Sequence, residues 1–508
     1  MCWNTSVRQR IPITSPEDIN GNTSLSLKQV AIMFVLSASY LLPEMMFGWT
    51  AVVPKLEDTS KFKVTKDDVS WLVSLPFIMI PIFSLLTGAL AEHMGPRRLL
   101  TIAMFPVAGF WLMQAFAPYL WILYLGRALI GIGAAVVLTI VNPLLAELYP
   151  GRFRGLAGTF PKIVGCAGML LSYLLAYCLS WDLATAVSAA PFLPLPFMLL
   201  LVPESYTGDF IVIEYIKHTI TTYPQSPYWL VRKKRVDEAE KSLKLLFRRD
   251  ADVDEELKAI RNTTTPEQCE VKNQVRELLK KQNAIPLVLL SLLFLLREFG
   301  GRGPVLNYTV YMFRKAGVQL DAFFCAVLVG VARLASTCIS ACMLDLVGRK
   351  TFLLAAALMC AVSEGVAGIF LFLEVEKATW VPLASVIVFV IGYGLGLGSI
   401  PGVYVGELLP TPVRSLGSAI IIFICYLAHF AVNLVFLKMT SFLGLGLTLL
   451  VFGGANLAIV PFVLLCIPET KDRTLQDMER AFVLREAQEG QANSAFEMDA
   501  MPSKAKEH

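Results

Sequence analysis

The stretch "ELYPGRFRG" at Glu147–Gly155 ends a long apolar run, and "ELLPTPVRSLG" at Glu407–Gly417 ends another. In both stretches a Pro stands three residues after the Glu, and an Arg stands seven residues after it, at Arg154 and Arg414. Repetition of the same charged motif at the same place after an apolar run predicts that the chain contains two related halves.

Other motifs recur in the same order. "GALAEHMGPRR" (Gly88–Arg98) follows the second apolar run and "MLDLVGRK" (Met343–Lys350) follows the eighth, while "PES" at Pro203 and "PET" at Pro468 end the sixth and the twelfth. Parallel repeats related by an axis along the membrane normal, with a site between them near the bilayer midplane, are a known architecture of secondary transporters.

The composition is that of a membrane protein. The chain has 508 residues, of which 56% are hydrophobic and 17% are charged, whereas soluble domains average about 25% charged residues. Its mean hydropathy is +0.61. A bilayer-spanning helix needs about 20 apolar residues, and runs near that length are centred near residues 40, 80, 108, 132, 168, 192, 292, 332, 360, 391, 426 and 456.

These runs predict an all-α membrane protein with twelve transmembrane helices in two six-helix bundles. Intracellular helices are expected between the bundles, because Val236, Ala239, Leu243 and Leu246 recur at helical spacing. The predicted division is a cytoplasmic N-terminal tail, the first bundle, an intracellular region, the second bundle and a cytoplasmic C-terminal tail, at residues 1–27, 28–203, 204–283, 284–468 and 469–508.

Orientation follows from the Lys and Arg residues of the short loops. These fall on one side if the N-terminus is cytoplasmic, so both termini are predicted inside the cell. The first 27 residues lack the apolar core of a signal peptide. The plasma membrane is the default expectation for such a multi-pass protein.

Several function classes lack the motifs that they need. The chain contains no phosphate-binding loop with its Lys and no HExxH motif, so no enzyme activity, cofactor or metal is predicted. A net charge of +4 does not suggest a nucleic-acid partner. The predicted partners are a small polar solute and the lipid bilayer, and a monomer is assumed.

Charged residues at the cytoplasmic helix ends predict a gate. Ion pairs between the halves would close the inner side. Each solvent-exposed pair would contribute on the order of 1 kcal/mol of stabilisation. Anchoring of helix ends at the lipid headgroups is the alternative, but the matched spacing favours the gate. The predicted gate residues are Glu92, Arg97, Arg98, Glu147, Arg154, Asp345, Arg349, Glu407 and Arg414.

Over about residues 28–475 the chain resembles the sugar porter family of the major facilitator superfamily. The motifs above carry this resemblance together with "GRALIGIG" (Gly126–Gly133), "GSIPGVYVGELLP" before Thr411 and "PETKDRTL" from Pro468. Within the family the chain is most similar to the facilitated trehalose transporters of arthropods. The resemblance implies alternating access and facilitative transport of a sugar of the trehalose or hexose type.

One segment departs from the family pattern. The family's PESPxWL motif is continuous, whereas here residues 206–226 separate Ser205 from Pro227. We interpret these residues as a suspected insertion, from a retained intron or an error in exon assignment. A genuine insertion that lengthens the inner helices is the alternative.

The resemblance also implies a substrate site whose residues are unusual for a sugar carrier. The family's neutral Gln in span 5 matches Lys162, its Gln pair in span 7 matches Arg297 and Glu298, and its Asn in span 8 matches Arg333. The predicted substrate-binding residues are Lys162, Glu298, Asn307, Arg333, Tyr426 and His429.

Buried charge in a membrane is costly and is expected to have a partner. Lys162 or Arg333 could neutralise Glu298 between the halves, or the cations could bind an anionic or zwitterionic substrate. Alternatively, some side chains extend to the outer mouth, and this is expected most of Arg297 and Arg302.

Coupling and hinge motion can also be read from the sequence. Thr50 stands where proton-coupled relatives are expected to carry an Asp, which favours uniport, although Glu44, Glu364 and His429 keep proton coupling possible. In span 10 a hinge is predicted at Gly398, Pro401 and Gly402. A carrier of a charged solute and a sensor that does not transport are the alternative functions.

Overall fold

The computed structural model describes residues 27–59, 62–149, 151–201, 231, 236–237, 239–240, 271–343, 348–374, 379–409 and 411–470. In these ranges it is all-helical, and eleven helical segments are long and apolar enough to cross a bilayer. A further span, span 7, is divided into three helices. The prediction of an all-α membrane protein built from two six-span halves is confirmed.

The first half contains spans 1–6. Span 1 is Leu27–Ala38, Leu41–Gly48 and Val53–Glu57; span 2 is Lys66–Met94; span 3 is Pro96–Met104 and Val107–Ala115; span 4 is Leu120–Leu148; span 5 is Gly151–Cys178; span 6 is Trp181–Val187 and Leu195–Leu201.

The second half contains spans 7–12, preceded by a helix at Val271–Leu278. Span 7 is Lys281–Phe299, Arg302–Asn307 and Thr309–Lys315; span 8 is Ala322–Met343; span 9 is Arg349–Phe372; span 10 is Val381–Gly392 and Ile400–Leu408; span 11 is Thr411–Phe442; span 12 is Gly444–Cys466.

Much of the predicted intracellular region, including the suspected insertion 206–226, lies outside the described residues. Of the amphipathic pattern, Val236 and Ala239 are helical, and Leu243 and Leu246 also lie outside them.

The first half is held together around a buried arginine of the "GRALIGIG" motif. Arg127 is fully buried, and its Nε donates to the carbonyl oxygen of Leu72 at 2.9 Å. Its Nη1 and Nη2 donate to the carbonyl oxygen of Met46 at 3.3 and 3.4 Å, and its guanidinium lies 4.6 Å from the centroid of the Trp49 ring. One side chain of span 4 therefore binds backbone of spans 1 and 2.

Two spans of the second half are interrupted. Span 7 breaks at Gly300–Gly301, and Gly301 has a φ of +74°, a conformation that glycine adopts far more easily than other residues. Span 10 changes from α-helix to a π-helical turn at Tyr393–Leu397, and a new helix starts at Ile400. Broken spans are common where a transporter lines its site.

The halves meet along two long contacts. Span 2 packs along span 11, and span 5 packs along span 8. We call the end of the bundle that carries the loop from Asp58 to Thr65 the Asp58 face, and the opposite end the Glu407 face. Broken spans 7 and 10 both lie in the second half and face spans 1 and 5 across this interface.

Candidate transport site

A charged cluster forms around Glu298 at the break in span 7. One carboxylate oxygen of Glu298, Oε1, accepts from Arg297 Nη2 at 2.6 Å and from Arg302 Nη1 at 3.0 Å. The other oxygen, Oε2, lies 2.7 Å from His429 Nδ1 of span 11. Glu298 and His429 are fully buried. Two guanidinium groups and one imidazole thus hold a single carboxylate by charge-assisted hydrogen bonds.

The pairing of Glu298 differs from the sequence prediction. One of the alternatives was that Lys162 or Arg333 neutralises this carboxylate, whereas Arg297 and Arg302 do so. The alternative in which Arg297 and Arg302 extend to the outer mouth does not agree with their exposed fractions of 7% and 6%. The glycine turn at Gly300–Gly301 explains the difference, since it starts the next helix so that Arg302 returns to Glu298.

Arg302 also links the cluster to the other half. Its guanidinium lies 5.1 Å from the centroid of the Phe47 ring in span 1 and 5.6 Å from that of Tyr393 in span 10. Contacts of this kind contribute about 2 kcal/mol when desolvated. The cluster therefore contributes to the interface between the halves as well as to the core of the second half.

His429 continues the cluster as a polar network. Because a carboxylate can only accept, we assign the proton of the neutral ring to Nδ1, which leaves Nε2 as an acceptor. Asn307 Nδ2 lies 3.5 Å from His429 Nε2 and donates to Asn433 Oδ1 at 3.0 Å. Buried Asn307 Oδ1 has no hydrogen-bond partner among the described residues. Phe77 packs edge-on against His429, with the ring centroids 4.4 Å apart.

Asn433 belongs to this network although the sequence prediction omitted it. It stands one helical turn after His429, so the i,i+4 spacing was the available signal. Tyr426, which was predicted, is mostly buried, and its ring centroid lies 6.0 Å from that of His429. The structure thus brings Glu298, Asn307, Tyr426 and His429 together.

Another ion pair, outside the Glu298 cluster, connects the two halves. Arg333 Nη2 of span 8 lies 3.6 Å from Glu44 Oε2 of span 1. The Arg333 guanidinium also lies 5.0 Å from the centroid of the Tyr393 ring. Arg333 Nε and Nη1 have no hydrogen-bond partner among the described residues. Arg333 is thus a buried cation for which Glu44 is the one carboxylate in ion-pair distance among the described residues, and that contact is longer than a hydrogen bond.

Lys162 lies on the same interface. Its Nζ donates to the carbonyl oxygens of Gly398 and Ser399 at 3.4 and 3.2 Å. These carbonyl groups follow the π-helical turn of span 10, so span 5 contacts the break of the opposite half. A Cβ atom at Gly402 would lie 3.2 Å from Lys162 Nζ. The hinge at Gly398, Pro401 and Gly402 remains a prediction, now located at a contact between the halves.

Glu364 has a different environment. It is buried in span 9, and its Oε2 accepts from Asn456 Nδ2 of span 12 at 2.8 Å. Asn456 Nδ2 also donates to the carbonyl oxygen of Gly300 at 2.9 Å. Glu364 is therefore an interhelical contact behind the span 7 break.

The predicted gate is only partly described. Asp345 and the side chains of Glu92, Glu147, Arg154 and Arg414 lie outside the described residues. Arg349 Nη2 lies 3.4 Å from Glu407 Oε1. Both residues belong to the second half, so this pair does not bridge the halves as expected. Arg97 Nη2 likewise contacts its own half, since it donates to the carbonyl oxygen of Leu199 at 3.1 Å. Arg98 follows it in the first helix of span 3.

The "PET" motif completes this end of the second half. Glu469 accepts from the backbone N–H groups of Arg349 and Lys350 at 3.0 Å each. A carboxylate at the start of a helix satisfies free N–H groups and interacts favourably with the helix dipole. Thr470 Oγ1 donates to Glu407 Oε2 at 2.5 Å. The motif therefore joins the start of span 9 to the end of span 10.

The Asp58 face is closed by contacts between the halves. Arg314 Nη2 lies 3.1 Å from Asp58 Oδ2, and Lys438 Nζ lies 3.5 Å from Asp67 Oδ1. Beneath them Tyr173 Oη donates to the carbonyl oxygen of Leu306 at 2.7 Å. In this conformation the halves are therefore in direct contact at the Asp58 face, and Glu298 and His429 of the cluster are fully buried.

We expect the Asp58–Arg314 pair to contribute little to stability. Both side chains are exposed, at 64% and 41%, and exposed pairs contribute about 0–1 kcal/mol. A double-mutant cycle of Asp58→Asn and Arg314→Gln, measured by thermal melting of the purified protein, should give a coupling below about 1 kcal/mol. The exposed pair Glu277–Lys280 serves as the control within one half. A coupling above about 2 kcal/mol would contradict the expectation.

Two six-span halves that enclose a buried polar cluster between broken spans define a secondary membrane transporter. The family model described as sugar (and other) transporter matches residues 33–482, and the chain belongs to that family.

Relatives and solved structures agree with this assignment. The chain is 28% identical to a facilitated trehalose transporter of Culex quinquefasciatus over 90% of this chain and 84% of the relative. It is 28% identical to one of Anopheles gambiae over 91% of this chain and 55% of that longer relative. A structure of the proton:xylose symporter XylE, a major facilitator superfamily protein bound to 6-bromo-6-deoxy-D-glucose, matches with a TM-score of 0.71. That match has 20% identity and covers 89% of this chain and 100% of the other.

Proposed function

We propose that the protein is a facilitative carrier of a sugar of the trehalose or hexose type that works by alternating access. The observation that carries the proposal is the polar cluster between the halves beneath a closed Asp58 face. Asn307 and Asn433 offer amide groups there, which suit hydroxyl groups because they both donate and accept. The family match and the relatives named as facilitated trehalose transporters support the sugar.

Uniport is the favoured mode. Thr50 is buried, and its hydroxyl donates to the carbonyl oxygen of Phe47 at 2.7 Å within its own span. Proton coupling is the second candidate, because Glu44 forms only a long contact with Arg333 across the interface. A carboxyl group that loses its ion pair when the halves separate could take up a proton.

The proposed location is the plasma membrane, with both termini and the Glu407 face in the cytoplasm. This orientation rests on the Lys and Arg residues of the loops on that face. The gate residues would then stand at the inner end, and Arg349–Glu407 would hold the ends of spans 9 and 10 as one unit. We propose a monomer as the transporting form.

Tracer uptake into proteoliposomes tests the proposal. Radiolabelled trehalose and glucose should enter proteoliposomes in a saturable manner, whereas protein-free liposomes should show only leak. An imposed pH gradient should leave the initial rate unchanged if the carrier is a uniporter, and a response to the gradient would favour proton coupling. Sugar binding without flux would contradict transport and support a sensor.

A further inference from the structure

The interface between the halves contains more buried positive charge than its own carboxylates neutralise. Lys162, Arg297, Arg302 and Arg333 stand around the breaks of spans 7 and 10, beside the carboxylates of Glu298 and Glu44. Charged groups inside a membrane protein are costly unless they are paired, and they mark substrate paths. An excess of cations at this position therefore requires a partner.

Glu298 does not supply that partner. Its two oxygens are already engaged by Arg297, Arg302 and His429. Its charge is therefore compensated within the second half.

Arg333 and Lys162 lie outside the Glu298 cluster and are incompletely compensated. Arg333 is 5% exposed, its nearest carboxylate oxygen is 3.6 Å away, and two of its guanidinium nitrogens have no hydrogen-bond partner among the described residues. Lys162 Nζ contacts neutral carbonyl oxygens, and within the described residues no carboxylate is in ion-pair distance of it. Burial of a cation without a close, hydrogen-bonded carboxylate is costly, and this applies most to Arg333, because Lys162 is only partly buried.

The two cations border one region of the interface. Lys162 precedes Gly165 by less than one helical turn, and a Cβ atom at Gly165 would touch Glu44 Cγ at 2.7 Å. Glu44 is the carboxylate beside Arg333. Tyr393, whose ring lies under Arg333, starts the π-helical turn that ends next to the carbonyl groups bound by Lys162. Spans 1, 5, 8 and 10 thus contribute to one positively charged region of the interface.

We propose that Lys162 and Arg333 form an oxyanion subsite that binds the carboxylate of a sugar acid. The proposal rests on the proposed function, since it adds an anionic group to a sugar substrate. Arg333 would donate from its unpartnered guanidinium nitrogens, and Lys162 would exchange carbonyl contacts for the anion. A neutral sugar would offer these nitrogens only hydroxyl oxygens, which accept hydrogen bonds but do not compensate the positive charge.

Ligand-induced thermal stabilisation of the detergent-purified protein provides the test. The probes are D-glucuronate, its neutral methyl ester and D-glucose, with sodium acetate at the same concentration as the bare-anion control. D-glucuronate should raise the melting temperature with a half-saturating concentration at least tenfold below those of the two neutral sugars. Equal half-saturating concentrations of D-glucuronate and D-glucose would overturn the subsite. An increase of the melting temperature by acetate equal to that by D-glucuronate would also overturn it.

Variants assign the effect to the two residues. Lys162→Gln and Arg333→Gln should each raise the ratio of the half-saturating D-glucuronate concentration to the half-saturating D-glucose concentration at least tenfold. Arg333→Lys keeps the positive charge and should bind D-glucuronate better than Arg333→Gln does. This comparison shows whether loss of charge or misfolding weakens binding in Arg333→Gln. Lys63→Gln and Arg276→Gln replace exposed cations of the same two types and should have no effect. Unchanged D-glucuronate binding in both Lys162→Gln and Arg333→Gln would refute the subsite.

Failure of this proposal can be distinguished from failure of the proposed function. Uptake of trehalose or glucose without D-glucuronate binding leaves the sugar carrier intact and removes the subsite. D-glucuronate binding that depends on Lys162 and Arg333, with no flux of any sugar, supports the subsite and contradicts the carrier.

Discussion

Replacing Glu298 by Gln should strongly destabilise the protein. The substitution keeps the shape of the side chain but removes the carboxylate that pairs with Arg297 and Arg302 at 2.6 and 3.0 Å. Both guanidinium groups would remain buried and without compensation. Removal of one partner of a buried ion pair costs about 3–5 kcal/mol. We expect a large decrease of the melting temperature of the purified protein.

The matched control is Glu57→Gln, which removes an exposed carboxylate from the end of span 1. We expect it to change stability by no more than about 0.5 kcal/mol. The double variant Glu298→Gln/Arg302→Gln should be more stable than Glu298→Gln alone, because it removes one uncompensated cation together with the carboxylate. Equal melting temperatures for Glu298→Gln and Glu57→Gln would show that the cluster is not the buried network that the distances indicate.

The spans themselves could be predicted because they depend on local properties. Run length, loop charge and motif order are all read along the chain, and they locate each span without knowledge of its neighbours. The break in span 10 was also foreseen, because glycines and Pro401 are local signals. Span 7 is divided into three helices, Lys281–Phe299, Arg302–Asn307 and Thr309–Lys315.

The partners within the site could not be predicted in the same way. Glu298 and His429 are 131 positions apart in sequence, and their contact depends on how spans 7 and 11 pack. The direction of Arg302 depends on the positive φ of Gly301, which the sequence allows but does not require. The presence of buried charge was therefore predictable, whereas its pairing was not.

The gate shows a related limit of sequence symmetry. Matched motifs in the two halves suggested ion pairs from one half to the other. Arg349 and Glu407 instead pair inside the second half, where Glu469 and Thr470 also bind them. A motif that occurs once in each half can equally well bind helix ends within that half. Symmetry of sequence thus identifies equivalent positions and does not identify partners.

Replacing Gly301 by Ala should impair both folding and transport. An added Cβ atom would lie 2.4 Å from Phe452 Cδ2 and 3.0 Å from Glu364 Oε1. The backbone φ of +74° would cost a further 1–2 kcal/mol, roughly, for any residue with a Cβ atom. Overpacking in a filled core adds about 1–3 kcal/mol. The melting temperature of the purified variant should decrease, and sugar uptake per folded molecule should decrease as well.

Gly317→Ala separates the two causes. Gly317 has a similar φ of +66°, but no described atom lies within 4 Å of its Cβ position, so this variant carries the backbone strain alone. The free energy of unfolding should therefore be lower for Gly301→Ala than for Gly317→Ala, by the cost of overpacking, which is about 1–3 kcal/mol. The loss of uptake should be confined to Gly301→Ala, because only this glycine turns the chain so that Arg302 reaches Glu298 and Phe47. Equal uptake by the two variants would mean that the geometry of the span 7 break does not position the cluster for transport.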